Sequence, residues 1–177
     1  LLDNKSIGNT PIEHRNTQTV ADIQMVFQNP FDTLNPSMTI GRQIIRALEI
    51  FHFGKNDKDR SERMLELLDL VKLPRAFAER MPRQLSGGQK QSIALSRAVL
   101  FDQPLLVMDE PTSAMDQMME DRLVERLSSY AKDKTLLLIT HKPNMLKLCD
   151  RIIVLDQGRI TFNGSKEQYV ELVKKNV

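Results

Sequence analysis

Short apolar runs alternate with amphipathic stretches along most of this chain. Ile23 to Phe27 reads as one strand, and Leu105 to Asp109, Thr135 to Thr140 and Arg151 to Leu155 read as three more. Arg159 to Phe162 follows Asp156-Gln157-Gly158, a turn sequence that predicts a closing hairpin. Between the strands, Asp116 to Tyr130 sets Met119, Leu123 and Leu127 on one helical stripe, with Asp116 suited to cap it. Ser86-Gly87-Gly88-Gln89 is a capping box ahead of a helix over Lys90 to Leu100, and Ser165-Lys166-Glu167-Gln168 opens the last helix in the same way. This alternation predicts an α/β domain with a largely parallel sheet whose strands are covered on both faces.

From Ile40 to about Met81 the period changes and stays helical, with no strand candidate. Ile40, Ile44, Ala47 and Leu48 make one stripe; Met64, Leu67, Leu68 and Val71 make another, with Gly54-Lys55-Asn56-Asp57 between them. Pro74 suits the first turn of a further short helix. The chain is therefore expected to divide into an α/β core, residues 1–39 and 82–177, and an inserted helical lobe, residues 40–81. Leu1 to Lys5 reads as the tail of a strand and a turn, so the chain is expected to begin inside an element.

Composition narrows the partners. The chain has 177 residues, 41% of them hydrophobic, enough for a sizeable core. Its 25 basic and 23 acidic residues leave a net charge of +2, which gives no electrostatic reason to expect nucleic acid. The aliphatic runs fall far short of the ~20 residues needed to span a bilayer, and no signal-peptide pattern opens the chain. The single cysteine, Cys149, rules out an internal disulfide and fits a reducing compartment.

The chemistry gathers at strand ends and one helix start. The two glycines of Ser86-Gly87-Gly88-Gln89 each cost roughly 1 kcal/mol relative to alanine inside a helix. Omitting both side chains opens the first turn's N–H groups to an anion such as phosphate. Asp109 and Glu110 close a buried strand, where ligands of open α/β sheets bind. Neighbouring strand residues face opposite ways, which suits Asp109 to a Mg²⁺ shell and Glu110 to orienting and deprotonating a water. His141 and Gln28 also follow strands, and glutamine can orient water or bridge to a metal. The phosphate cradle G-x-x-x-x-G-K-[ST] occurs nowhere in the 177 residues.

Gln28, Leu85-Ser86-Gly87-Gly88-Gln89, Leu105 to Asp116 and His141, in that order, resemble the Q-loop, signature, Walker B with D-loop, and H-switch of the ATP-binding subunits of ABC transporters. The resemblance covers essentially the whole chain and implies a P-loop-NTPase-like core with its helical lobe between Q-loop and signature. It implies ATP and Mg²⁺ as cofactors, Gln28 as a sensor of nucleotide and membrane partner, Asp109 at the metal, Glu110 as base and His141 at the γ-phosphate. Ser86, Gly87, Gly88 and Gln89 would contact the nucleotide of a second ATPase subunit, a copy or a relative, joined head to tail, and Asp116 would belong to the loop communicating between subunits. The implied partners are transmembrane permease subunits and an external substrate-binding protein, with the chain peripheral on the cytoplasmic face of the membrane. The stacking aromatic and the Walker A lysine of that family are expected upstream of Leu1, so this piece alone is expected to be inactive.

Subfamily features diverge. Val26 to Phe31, Thr33 to Pro36 and Leu73 to Gln84 look like importers of oligopeptides, dipeptides or nickel. Ser113 to Asp116 and Thr135 to Pro143 look like ATPase domains of type I secretion exporters. The first group lies where the membrane partner docks, which favours uptake of peptide or nickel. Competing readings are the peptide exporter, a soluble ABC-type ATPase working on ribosomes or DNA, and a non-catalytic module that donates only a signature face.

Overall fold

A computed structural model describes residues 8–29, 34–101 and 103–175. The expected strand tail at Leu1 to Lys5, and Pro30, Phe31 and Thr33 of the importer-like stretch, lie outside the described residues. Three strands, β1 (Ile23–Val26), β2 (Leu105–Asp109) and β3 (Thr135–Ile139), form a parallel sheet in the order β1-β2-β3. A separate antiparallel hairpin pairs β4 (Arg151–Asp156) with β5 (Arg159–Ser165). Gln157 and Gly158 turn it with φ of 47° and 76°, the left-handed pair that a tight hairpin requires.

The helices begin where polar side chains can cap them. After α1 (Thr17–Ala21), α2 (Ile40–Ile50) starts at Thr39 and α3 (Asp57–Leu70) at Asn56, each side chain accepting a backbone N–H of the first turn. α4 (Gly87–Ala98) starts three residues earlier than its apolar period predicts, because the Ser86 and Gln89 side chains close the capping box in both directions. Asp116 caps α5 (Gln117–Tyr130) through the Met119 N–H, and the Ser165–Gln168 box opens α6 (Lys166–Lys175) as expected. Pro74 precedes the short 3₁₀ turn Arg75–Glu79 as its cap residue and does not occupy the first turn.

Between residues 40 and 81 the described structure is α2, α3 and that 3₁₀ turn. Ile40, Ile44 and Leu48 of α2 are fully buried and pack in one cluster with Leu67 and Leu68, with Ile93 and Leu95 of α4, and with Leu106 and Met108 of β2. Helical segment and sheet thus share one continuous core.

Among the described residues the sheet is packed on one face. Leu106, Met108 and Val26 are buried, while on the other face Met25, Leu137 and Ile139 are 44%, 55% and 53% exposed. Alternating burial along β3 is the mark of a sheet packed on one side. The continuous apolar runs predicted two covered faces, and no element among the described residues packs on the second. Among the described residues β3 and β4 each have one unpaired edge, and residues from Leu138 to Lys142 and from Arg151 to Leu155 line a common slot of about 400 Å³.

Unpaired strand edges flanked by exposed apolar residues are templates for association. Replacing Leu137 and Leu155 by lysine is therefore expected to raise the monomeric fraction in size-exclusion chromatography. Stability should change little, since surface substitutions usually stay within about 0.5 kcal/mol, roughly 2 °C in melting temperature for a chain of this size.

Candidate functional site

The parallel sheet brings three of the expected residues to one edge. Val26 is in register with Met108, and Asp109 with Ile139, so Gln28, Glu110 and His141 all follow the carboxyl ends of adjacent strands. Such an edge is where open α/β sheets hold ligands. Glu110 does not continue the strand. Its φ is 44°, so a left-handed turn aims its side chain, and the alternation of strand residues that predicts opposite aims for Asp109 and Glu110 stops at Asp109.

That turn is heavily tied. The Glu110 N–H donates to the Ile139 carbonyl at 2.9 Å, and its own carbonyl accepts from Gln91 Nε2 at 3.0 Å and from the Ser113 N–H at 3.1 Å. Glu110 Oε1 accepts the His141 N–H at 3.1 Å and lies 2.7 Å from His141 Nδ1. A carboxylate only accepts, so in this pair Nδ1 carries the proton and Nε2 is left to meet another group. Glu110 Oε2 is buried without a hydrogen-bond partner among the described residues. His141 itself is 74% exposed at its side chain, against 14% for Glu110.

Gln28 approaches through its backbone: its carbonyl lies 3.5 Å from Ser113 Oγ, and its side chain is exposed. Asp109 ends β2 half-buried. Among the described residues no group of three histidine, cysteine or acidic side chains stands ready to hold a metal ion.

The signature helix meets this loop from one side. Gly88 is buried, and a Cβ there would stand 2.9 Å from the Ala114 carbonyl oxygen and 3.0 Å from Met119 Sδ. Its missing side chain thus permits this close packing. Ser86 is exposed at the helix start, and the capping box already uses the Gln89 amide and side chain.

Sequence reasoning missed Gln91, Glu120 and Lys142. Gln91 is fully buried; beyond its bond to Glu110 it donates to Ser113 Oγ at 3.0 Å and accepts the Ala114 N–H at 2.8 Å. Glu120 is 2% exposed and pairs with Lys142 Nζ at 2.6 Å. A glutamine and a glutamate at buried positions of helices α4 and α5 were the available signal. Burial alone pushes the Glu120 carboxyl up, but the hydrogen bond and charge of Lys142, helped by polar neighbours, outweigh it and hold the group below the ordinary range.

A sequence family described as ABC transporter matches residues 1–113. The oligopeptide transport ATP-binding protein OppF of Bacillus subtilis is 38% identical over 141 residues, covering 78% of this chain and 46% of that protein. The dipeptide transport ATP-binding protein DppD of Haemophilus influenzae is 39% identical over 150 residues, covering 82% of this chain and 45% of that one. The chain thus spans about half the length of these relatives. Among solved structures, the dimeric ATP-binding cassette MJ0796 bound to ADP and Pi in a post-hydrolysis state superimposes with a TM-score of 0.74 at 27% identity, over 90% of this chain and 71% of that one.

Alanine for glycine inside a helix ordinarily stabilises by about 1 kcal/mol. At Gly88 the new methyl would meet a backbone oxygen, and overpacking of that kind costs about 1–3 kcal/mol. Gly88→Ala is therefore expected to lower the urea midpoint, by up to about 2 kcal/mol of stability on balance of those two effects. The lowered pKa of Glu120 also sets an acid limb. A carboxyl whose folded pKa is depressed contributes stability that is fully present above its unfolded value, about 4.3, and is lost as pH falls through the folded one. Urea midpoints measured from pH 6 down to about 3 should fall less steeply for Glu120→Gln than for the parent chain.

Proposed function

The chain belongs to the ABC transporter family, and from that premise we propose that it is part of an ATP-binding, ATP-hydrolysing subunit that powers peptide uptake. The observation that carries the reading is the Glu110–His141 pair, 2.7 Å apart at the sheet's carboxyl edge, with the second carboxylate oxygen of Glu110 buried and unengaged. In this reading Oε2 takes the proton of the attacking water while His141 holds Oε1 and turns Nε2 toward the γ-phosphate. A positioned general base of this kind contributes about 10²–10⁴-fold.

Asp109 would hold Mg²⁺ together with Gln28, the remaining ligands coming from the nucleotide and from a phosphate-binding loop that the 177 residues do not contain. The metal, when bound, neutralises charge developing on the phosphates. Gln28 also orients the attacking water. Ser86, Gly87, Gly88 and Gln89 would face the nucleotide of a second ATPase subunit, with Asp116 beside that interface. The capping box leaves the amides of Gly87 and Gly88 as the ones a phosphate would meet. The dimeric state of the cassette MJ0796 supports a two-subunit arrangement.

The division into a core, residues 1–39 and 82–177, and a helical lobe, residues 40–81, belongs to the same reading. Beside Gln28 a groove is lined by Met25, Phe27, Ala47, Phe51 and Arg97, with Phe27 and nearby Ile50 55% and 58% exposed. Its junction position between sheet and α2 suits it to receive a cytoplasmic segment of a permease. The names of the similar peptide-transport proteins support peptide as the cargo of the assembly, with an external binding protein supplying it. No helix among the described residues is long and apolar enough to cross a membrane; in the proposed assembly the chain sits peripherally at the cytoplasmic face, on its permease.

Glu110→Gln in the full-length protein is expected to retain ATP binding and to lose at least 10²-fold in turnover, read from nucleotide affinity and phosphate release together. Ordinary turnover in that variant would remove Glu110 as the base. Pull-down of the full-length protein from membranes should recover a polytopic permease; recovery of ribosomes or DNA in its place would overturn the transport reading.

A further inference from the structure

Lys142 follows His141 in sequence but turns away from the Glu110 side chain. Its ammonium lies 2.6 Å from Glu120 Oε2, donates to the Thr112 carbonyl at 2.7 Å and reaches the Met115 carbonyl at 3.4 Å. Thr112 and Glu120 are 1% and 2% exposed. One side chain therefore ties the segment after β3 to both ends of the 112–115 loop and to the first turn of α5. The adjoining Asn144 adds a bond to Asp121 on α5 at 2.8 Å, and the Lys142 N–H bonds Thr140 Oγ1 at 3.0 Å. The latch leaves His141 little freedom to move independently of the loop that leads to Asp116.

We propose that Lys142 is a positioning residue: its pair with the buried Glu120 locks the His141 segment to the 112–116 loop, so that the His141–Glu110 contact and the Asp116 cap form and loosen together. Stability alone is a weak reason for such a pair, because burying the Glu120 carboxylate costs about as much as its attraction to the ammonium returns. Geometry is the better reason. An ammonium held by two loop carbonyls and paired with a carboxylate on α5 specifies one relative placement, which an apolar contact would leave looser.

The test uses two amides that report the two ends of the latch. The His141 N–H donates to Glu110 Oε1, and the Met119 N–H donates to Asp116 Oδ1. In the 177-residue chain, Lys142→Met should speed hydrogen exchange at both amides by about tenfold or more, leaving α3 amides near Leu67 unchanged, because the loss is local. Lys142→Arg, which keeps the charge and the donors, should restore most of the protection. The paired change Glu120→Leu with Lys142→Met leaves no buried charge unmatched, so it folds even if the single variant does not, and it should show the same local loss. Unchanged exchange at His141, or faster exchange spread evenly over the molecule, would overturn the proposal.

The consequence for turnover rests on the function proposed above. In the full-length protein Lys142→Met should lower kcat about tenfold or more, with KM for ATP within about twofold, the pattern of a group that acts in the transition state without holding substrate. A parent protein without ATPase activity would count against that function and leave the exchange result standing. An unchanged kcat alongside local loss of protection would confine the latch to structure and overturn its positioning role.

Discussion

The arrangement depends on how the backbone gets around Glu110. A non-glycine residue at φ 44° costs of the order of 1–3 kcal/mol, and Pro111 behind it narrows the alternatives further. Glycine would make the turn at lower cost but would bring no carboxylate. The turn persists because its N–H, its carbonyl and one carboxylate oxygen are engaged by Ile139, Gln91, Ser113 and His141. One polar atom, Oε2, is left over and buried. Strain held by surrounding bonds, with a single acceptor unspent, is how a site is pre-organised for a group that arrives later.

Gln91 can reach Glu110 because α4 comes in close. Gly88 permits that approach by presenting no Cβ to the Ala114 carbonyl, and Gln91, three residues on, lies on the same helical face. Gly88, Gln91 and the loop from Glu110 to Ala114 are therefore one packed unit. A motif glycine that reads in sequence as an opening for phosphate also presents a contact surface to the chain's own loop. The two roles are compatible, because the close packing uses the absent Cβ of Gly88 while the phosphate reading uses the backbone amides of the helix's first turn.

Much of the fold was legible because its signals are local. Strand runs, the Asp116 cap and both capping boxes rest on residues within four positions of one another, and each formed as its chemistry predicts. The strand-end placement of Gln28, Glu110 and His141 was legible too, since parallel strands in register bring their carboxyl ends together. What escaped was long-range. Gln91 bonds a residue 19 positions away and Lys142 bonds one 30 positions away, with no period or motif to announce either. The open sheet face escaped for a different reason: a run such as Leu136-Leu137-Leu138-Ile139 has the same composition whether one face or both are packed. Only the alternation of burial tells them apart.

The loop from Pro111 to Asp116 has little regular structure of its own, so its shape is imposed by side chains that come from elsewhere. Gln91 holds its beginning from α4, and Lys142 holds Thr112 and Met115 from the segment after β3. Two anchors on different elements mean that a shift in either helix α4 or the His141 segment is felt by the same six residues. A loop held only by its own turns would yield locally and pass nothing on. Held from both sides, it can move only if both anchors move or one lets go, which makes the helix start at Ser86, the carboxylate of Glu110 and the imidazole of His141 parts of a single mechanical unit.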